Sequence, residues 1–93
     1  MTVSVEAIAE TLGLKKEELI KNGVKAYLES ELRHINAETI IIYNRYGVTS
    51  LNELDKKINK GELSETETFE DFTKLDHLEA KKEKIEKILK VLS

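Results

Sequence analysis

Apolar residues recur at helical spacing along almost the whole chain, and each stretch is bounded by a cap or a glycine. Val5, Ile8, Ala9 and Leu12 share one helical face. Ser4 precedes them as an N-cap, with Ala7 where Glu would complete a capping box, and Gly13 follows as a C-terminal stop. A second, much longer period starts near Lys15. It runs through Leu19, Ile20, Val24, Tyr27, Leu28, Leu32, Ile35, Thr39, Ile42, Tyr43 and Tyr46 and ends at Gly47. At 1.5 Å per residue such a helix spans roughly 48 Å, more than a small globule's diameter, so part of it must pack on something else. Gly23 inside it costs about 1 kcal/mol relative to Ala, which a close helix crossing would explain.

The stretch Thr39 to Tyr43 reads two ways. Three successive isoleucines and a tyrosine suit a buried strand. The flanks carry no turn signal and favour helix. On a helix, Ile40, Ile41 and Ile42 point about 100° apart and cannot all face one core. Ile40 to Tyr43 are therefore expected near a contact between two chains of a homodimer; the alternative is a C-terminal helix folding back over the extra face.

Beyond Gly47, Ser50-Leu-Asn-Glu53 reads as a capping box, with Val48 and Leu54 as its hydrophobic staple. A short helix is expected from about Leu51 to Lys60, closed by Gly61. Ser64-Glu-Thr-Glu67 is a further capping box. A last helix from about Thr66 to Leu92 carries Phe69, Phe72, Leu75, Leu78, Ile85, Ile88, Leu89 and Leu92. The expected fold is all-α: a short helix, a very long helix, a short helix and a C-terminal amphipathic helix. It forms a single domain over 1–93, with dimerising helices in 1–47 and a partner-binding arm in 48–93.

Composition narrows the function classes. The 93 residues contain no cysteine, which removes disulfides, thiolate metal sites and cysteine nucleophiles. There is no proline to interrupt a helix. The longest purely apolar run is Ile40 to Ile42, far short of a transmembrane helix, and the first residues lack a basic, apolar leader; a cytoplasmic location is expected. Charge is unevenly placed. Residues 62–79 hold seven acids and one lysine, whereas residues 80–93 hold five lysines and two glutamates. Helix electrostatics account for part of this, but not for two phenylalanines set among the acids, a mix suited to a basic surface with an apolar pocket.

Catalytic and metal-binding patterns are missing. Glu31-Leu-Arg-His34 is an E-x-x-H of the kind used in carboxylate-bridged di-iron bundles, but Lys74 stands where the acid partner of His77 would be. The serines sit in no nucleophile elbow, and the four glycines form no phosphate loop. No enzyme activity, cofactor or metal is expected.

The first two helices, joined at Gly13-Leu14, have the outline of a helix-turn-helix. Leu12-Gly-Leu-Lys-Lys-Glu-Glu-Leu-Ile20, running on to Ala26-Tyr-Leu-Glu29, resembles the helical half of ribbon-helix-helix repressors. Lys15, Lys16 and Lys21, with Lys25, are candidate phosphate contacts, though the strand segment Thr2-Val-Ser-Val5 has no basic residue to read bases. Further on, Tyr27-Leu28-Glu29, Arg45-Tyr46-Gly47-Val48, Ser50, Glu53-Leu54-Asp55, Ile58, Gly61, Glu70-Asp71 and Asp76-His77-Leu78-Glu79 follow in order. Over roughly residues 5 to 92 the chain resembles small archaeal and cyanobacterial proteins that look like type II antitoxins. That resemblance implies a dimerising N-terminal part and a C-terminal arm that neutralises a small cognate toxin. Under it, Phe69, Phe72, Leu75 and Leu78 are anchors, and Glu67, Glu70, Asp71 and Asp76 compete with RNA for a basic cleft; the alternative is that the same apolar residues pack on the long helix within one chain. Two other readings stay open: a helical oligomerisation scaffold without a toxin, and a small DNA-binding repressor.

Overall fold

The computed structural model describes residues 4–92, and among these every regular element is a helix. The helices are α1 (Val5–Leu12), α2 (Lys16–Tyr46), α3 (Leu51–Asn59) and α4 (Glu65–Leu92). The all-α architecture and the order short, very long, short, long match the expectation, and boundaries differ by about one residue. The strand alternative for Thr39–Tyr43 is excluded, because α2 runs through it without interruption.

Local chemistry sets the boundaries. The Ser4 hydroxyl accepts from the Ala7 N–H and starts α1. At the end of α2, Gly47 takes φ 65°, a left-handed geometry that costs a side chain roughly 1–2 kcal/mol. Its N–H donates to the Asn44 carbonyl, and the Val48 N–H donates to that of Tyr43. This closes the helix end and swings Val48 into the core. Ser50 caps α3 by accepting from the Glu53 N–H at 3.1 Å. The reciprocal bond is displaced by one residue: Glu53 accepts from the N–H and hydroxyl of Thr49, at 2.8 and 3.0 Å, rather than from Ser50. The Ser64 hydroxyl accepts from the Glu67 N–H and opens α4.

α4 returns antiparallel along α2. Tyr46 meets Asp71, Tyr43 meets Glu79 and Glu31 meets Lys81, so numbers rise on one helix as they fall on the other. Two apolar clusters lie along the seam. One joins Ile42, Tyr43, Val48, Leu54 and Leu75, with α3 as a third layer. The other joins Leu28, Ile35 and Ile85, with Leu32, Leu78, Leu89 and Leu92 against them. α2 continues N-terminally past the end of α4, and α1 folds back on it. The molecule is a rod of 60 × 29 × 16 Å with a radius of gyration of 19.1 Å, against about 12 Å for a compact domain of this length.

Candidate partner-binding surface

Phe69, Phe72, Leu75 and Leu78 are spaced by three residues, and each step of three turns about 60° away from a common face. With Leu75 facing α2 at 0% exposure, Phe72 and Leu78 fall on either flank and are half-buried, and Phe69 lies outside at 65%. The four expected anchors are thus separated. Leu75 is core and cannot reach a partner; Phe72 packs against the first cluster; Leu78 packs against the second. Only Phe69 is free. The residue that shares Leu75's face one heptad earlier is Thr68, 2% exposed, its hydroxyl donating to the Ser64 carbonyl at 2.7 Å.

The acids divide in the same way. Glu67, Glu70 and Asp76 are exposed. Asp71 is half-buried and accepts from the Arg45 guanidinium at 2.7 Å and the Tyr46 hydroxyl at 2.5 Å. The Tyr46 bond and the Arg45 charge hold its carboxyl below the usual range. The expectation that Asp71 competes for a partner's cations is corrected: it ties α4 to α2. Two acids not anticipated join the surface. Between α3 and α4 lies a shallow groove of about 250 Å³, lined by Asp55, Ile58 and Asn59 on one side and Glu65, Phe69 and Phe72 on the other.

Ile40 to Tyr43 also separate. Ile42 and Tyr43 belong to the core, contrary to their expected place between chains, because the 100° steps turn them towards α4. Ile40 and Ile41 remain 55% and 61% exposed. Tyr43 donates to Glu79 at 3.0 Å. Burial, then that carboxylate, pushes its hydroxyl up to about 12. This pair borders a groove of about 680 Å³, with Ile40, Leu51 and Lys82. Sequence spacing carried no signal for either tyrosine–carboxylate pair, since their partners lie 25 and 36 residues apart.

Lys15 and Lys21 are exposed on the first turns of α2. Lys16 pairs with Glu6 at 2.5 Å, which bridges α1 to α2. That hydrogen bond draws the Glu6 carboxyl down to about 2. Thr2 and Val3 of the expected DNA-reading strand lie outside the described residues, and Val5 is helical. Among the described residues no cluster of three or more His, Cys, Asp or Glu is placed to hold a metal, and no helix is long and apolar enough to cross a membrane.

The match to known proteins spans the same length as the rod. The family model described as "Uncharacterized protein MJ0235 family" matches residues 1–93. The chain belongs to the MJ0235 family. One member, the uncharacterized protein MJ0235 of Methanocaldococcus jannaschii, is 37% identical over 63 residues, covering 68% of this chain and 77% of the relative. No solved structure matches the chain. Its membership of the MJ0235 family rests on the whole sequence, helices and connections alike.

Proposed function

We propose that this MJ0235-family chain is an antitoxin-like module that binds a small basic protein toxin at the α3–α4 corner. The observation that carries this reading is Phe69, 65% exposed on α4, in a groove it shares with the carboxylates of Asp55 and Glu65, with Glu67 and Glu70 exposed on the same helical turns. An exposed aromatic is an efficient anchor because it offers large contact area with few rotamers to freeze. The carboxylates steer a cationic surface towards it and reject acidic ones. Glu67 and Glu70 retain the roles expected of them. Phe72 supports the groove from below rather than inserting into the partner.

The test is co-expression with the product of the adjacent reading frame. The wild-type chain relieves growth arrest and co-purifies with that product; Phe69→Ala, or Glu67→Lys with Glu70→Lys, loses both while keeping its helical circular dichroism. An adjacent product that is harmless, or full rescue by Phe69→Ala, ends the reading. Binding also weakens as salt rises from low to physiological strength, because exposed charges supply its electrostatic part.

A further inference from the structure

Among the described residues, nine of the twelve large exposed apolar residues lie at the end of the rod away from Phe69, between Val5 and Tyr27 or in the last five residues of α4. They are not scattered. α2's seam is covered by α4 from Tyr46 back to Leu28, where α4 ends, and it then continues as Val24 and Ile20, which α4 does not reach and which are 42% and 46% exposed. Ile20, Gly23 and Tyr27 share one face of this overhang by i, i+3, i+7 spacing. α1 adds Ile8 and Leu12 at 39% and 60% exposure, with only Ala9 buried. Eight residues make a marginal helix without packing, and here alanine is its one buried residue.

Gly23 sharpens the point. The expected crossing does not occur within the chain, because a Cβ there would meet nothing within 4 Å. The glycine weakens α2 without relieving any internal contact. Its missing side chain opens the centre of the bare stripe to the backbone of another helix.

We propose that a second copy of this chain covers the stripe, the two α2 overhangs crossing at Gly23 about a two-fold axis. Three observations select a copy over a foreign partner. The chain exposes 7070 Å², whereas a monomer of its mass exposes about 5,500 Å². The excess, roughly 1,600 Å², falls within the 1,000–2,500 Å² that each chain of an obligate dimer hides. Residues 5–29 carry five acids and four lysines, a mixed surface that does not repel its own copy, unlike the acidic corner. The stripe also extends an existing helix seam, so an identical helix packs on it with the same side chains. The dimer brings the α1–α2 ends together and leaves both Phe69 surfaces free at the outer ends.

Sedimentation equilibrium of the full chain from about 1 to 200 μM tests this. The wild type is dimeric. Tyr27→Glu and Gly23→Ile each raise the dissociation constant at least about tenfold, whereas Ile41→Asp and Phe69→Ala leave it unchanged. Gly23→Ile removes no contact within the chain, so it keeps the test sharp if Tyr27→Glu loses helix by circular dichroism. A nitroxide on a cysteine at Asn22, one residue from the crossing, shows strong dipolar broadening between chains. A monomer at the highest concentration overturns the proposal. So does a dimer indifferent to both tip variants, or an Asn22 label without broadening. Dissociation by Ile41→Asp alone moves the contact to Ile40 and Ile41.

Discussion

The two ends of the rod are built from the same kind of helix and reach opposite outcomes. At the corner, α3 lies across the α2–α4 pair as a third layer, and Leu54 and Leu75 are fully hidden. Polar bonds stitch the layers: Arg45 and Tyr46 to Asp71, Tyr43 to Glu79, and Lys57 to the Tyr46 carbonyl at 3.1 Å. At the tip, α1 meets α2 alone. Among the described residues, Ala9 is the one buried residue of α1, and the ion pair that ties α1 to α2, Glu6 with Lys16, is solvent-exposed and worth little. A helix pair buries one stripe of each partner, and hiding more needs a third element. The corner has one within the chain, and at the tip we propose that another copy supplies it.

The comparison breaks most visibly at Leu75. Leu75→Ala removes a fully buried side chain from the layer that joins α2, α3 and α4, and is expected to cost about 2–5 kcal/mol. That is a large share of a small domain's stability. Urea unfolding reads it, and the loss is independent of protein concentration. A truncation at the tip, such as Tyr27→Ala, behaves differently: its effect on the melting temperature grows with protein concentration, because mass action couples it to association. Equal concentration dependence for both variants removes the distinction between the ends.

Gly47→Ala comes next. The position has φ 65° and a new Cβ would sit 3.7 Å from the Lys57 amine, so space is adequate and backbone strain alone sets a cost of roughly 1–2 kcal/mol. Urea midpoints of the variant and wild type check it.

Much of this architecture was legible in the sequence. Caps and glycine stops declare themselves over three or four neighbouring residues, so Ser4, Gly13, Gly47, Ser50 and Ser64 placed the helix ends closely. Orientation was harder. The run Phe69, Phe72, Leu75, Leu78 looks like a stripe because every third residue is apolar, yet a period of three drifts around a helix of 3.6. Thr68 fills the inward position that the apolar pattern skips, and its hydroxyl is satisfied locally, so polarity misleads about its burial. The triple isoleucine correctly signalled surplus apolar surface. It misplaced where most of that surplus lies, because the tip is exposed by where α4 ends, a property of the pairing register between distant segments. The Asp71 bridge escaped for the same reason.

The polar stitches of the corner give it a pH signature at both limbs, whereas the tip's Glu6 carboxyl, also held low by Lys16, sits in a fully exposed pair that solvent screens. Asp71's carboxyl is held low in the folded chain, chiefly by the Tyr46 hydroxyl and the Arg45 charge. A depressed carboxylate contributes stability above its unfolded value, near 3.8, and loses it as pH falls through the folded value. Asp71→Asn is therefore less stable than wild type at pH 7, and the gap narrows by pH 3. At the other limb, Tyr43 is held protonated up to about 12 against an ordinary 10.0. Its contribution is complete below pH 10 and fades as pH rises towards 12. Tyr43→Phe flattens that decline. Denaturant midpoints across pH for the two variants measure both limbs, and parallel curves with wild type remove the electrostatic part of the corner's advantage.

The smallest expected effect runs in the opposite direction and repairs the tip rather than damaging the corner. α3 begins with a serine whose hydroxyl accepts from the third N–H of the helix. α2, more than three times as long, begins with Lys15, which makes no side-chain cap bond. Its first-turn acids, Glu17 and Glu18, offset part of this through the helix dipole. Lys15 already has the extended backbone of a cap, at φ −77° and ψ 145°. Lys15→Asp therefore needs no rearrangement to supply the missing acceptor, and removes a positive charge from the positive end of the helix. An expected gain of about 0.5–1 kcal/mol follows. Hydrogen exchange at the first turns of α2 detects it, because protection rises there while Leu75's turn of α4 is unchanged. If Lys15 instead served to hold a nucleic-acid phosphate, the same variant would lower the salt slope of DNA binding by about one unit, so one substitution tests the uncapped start of α2 and the repressor reading together.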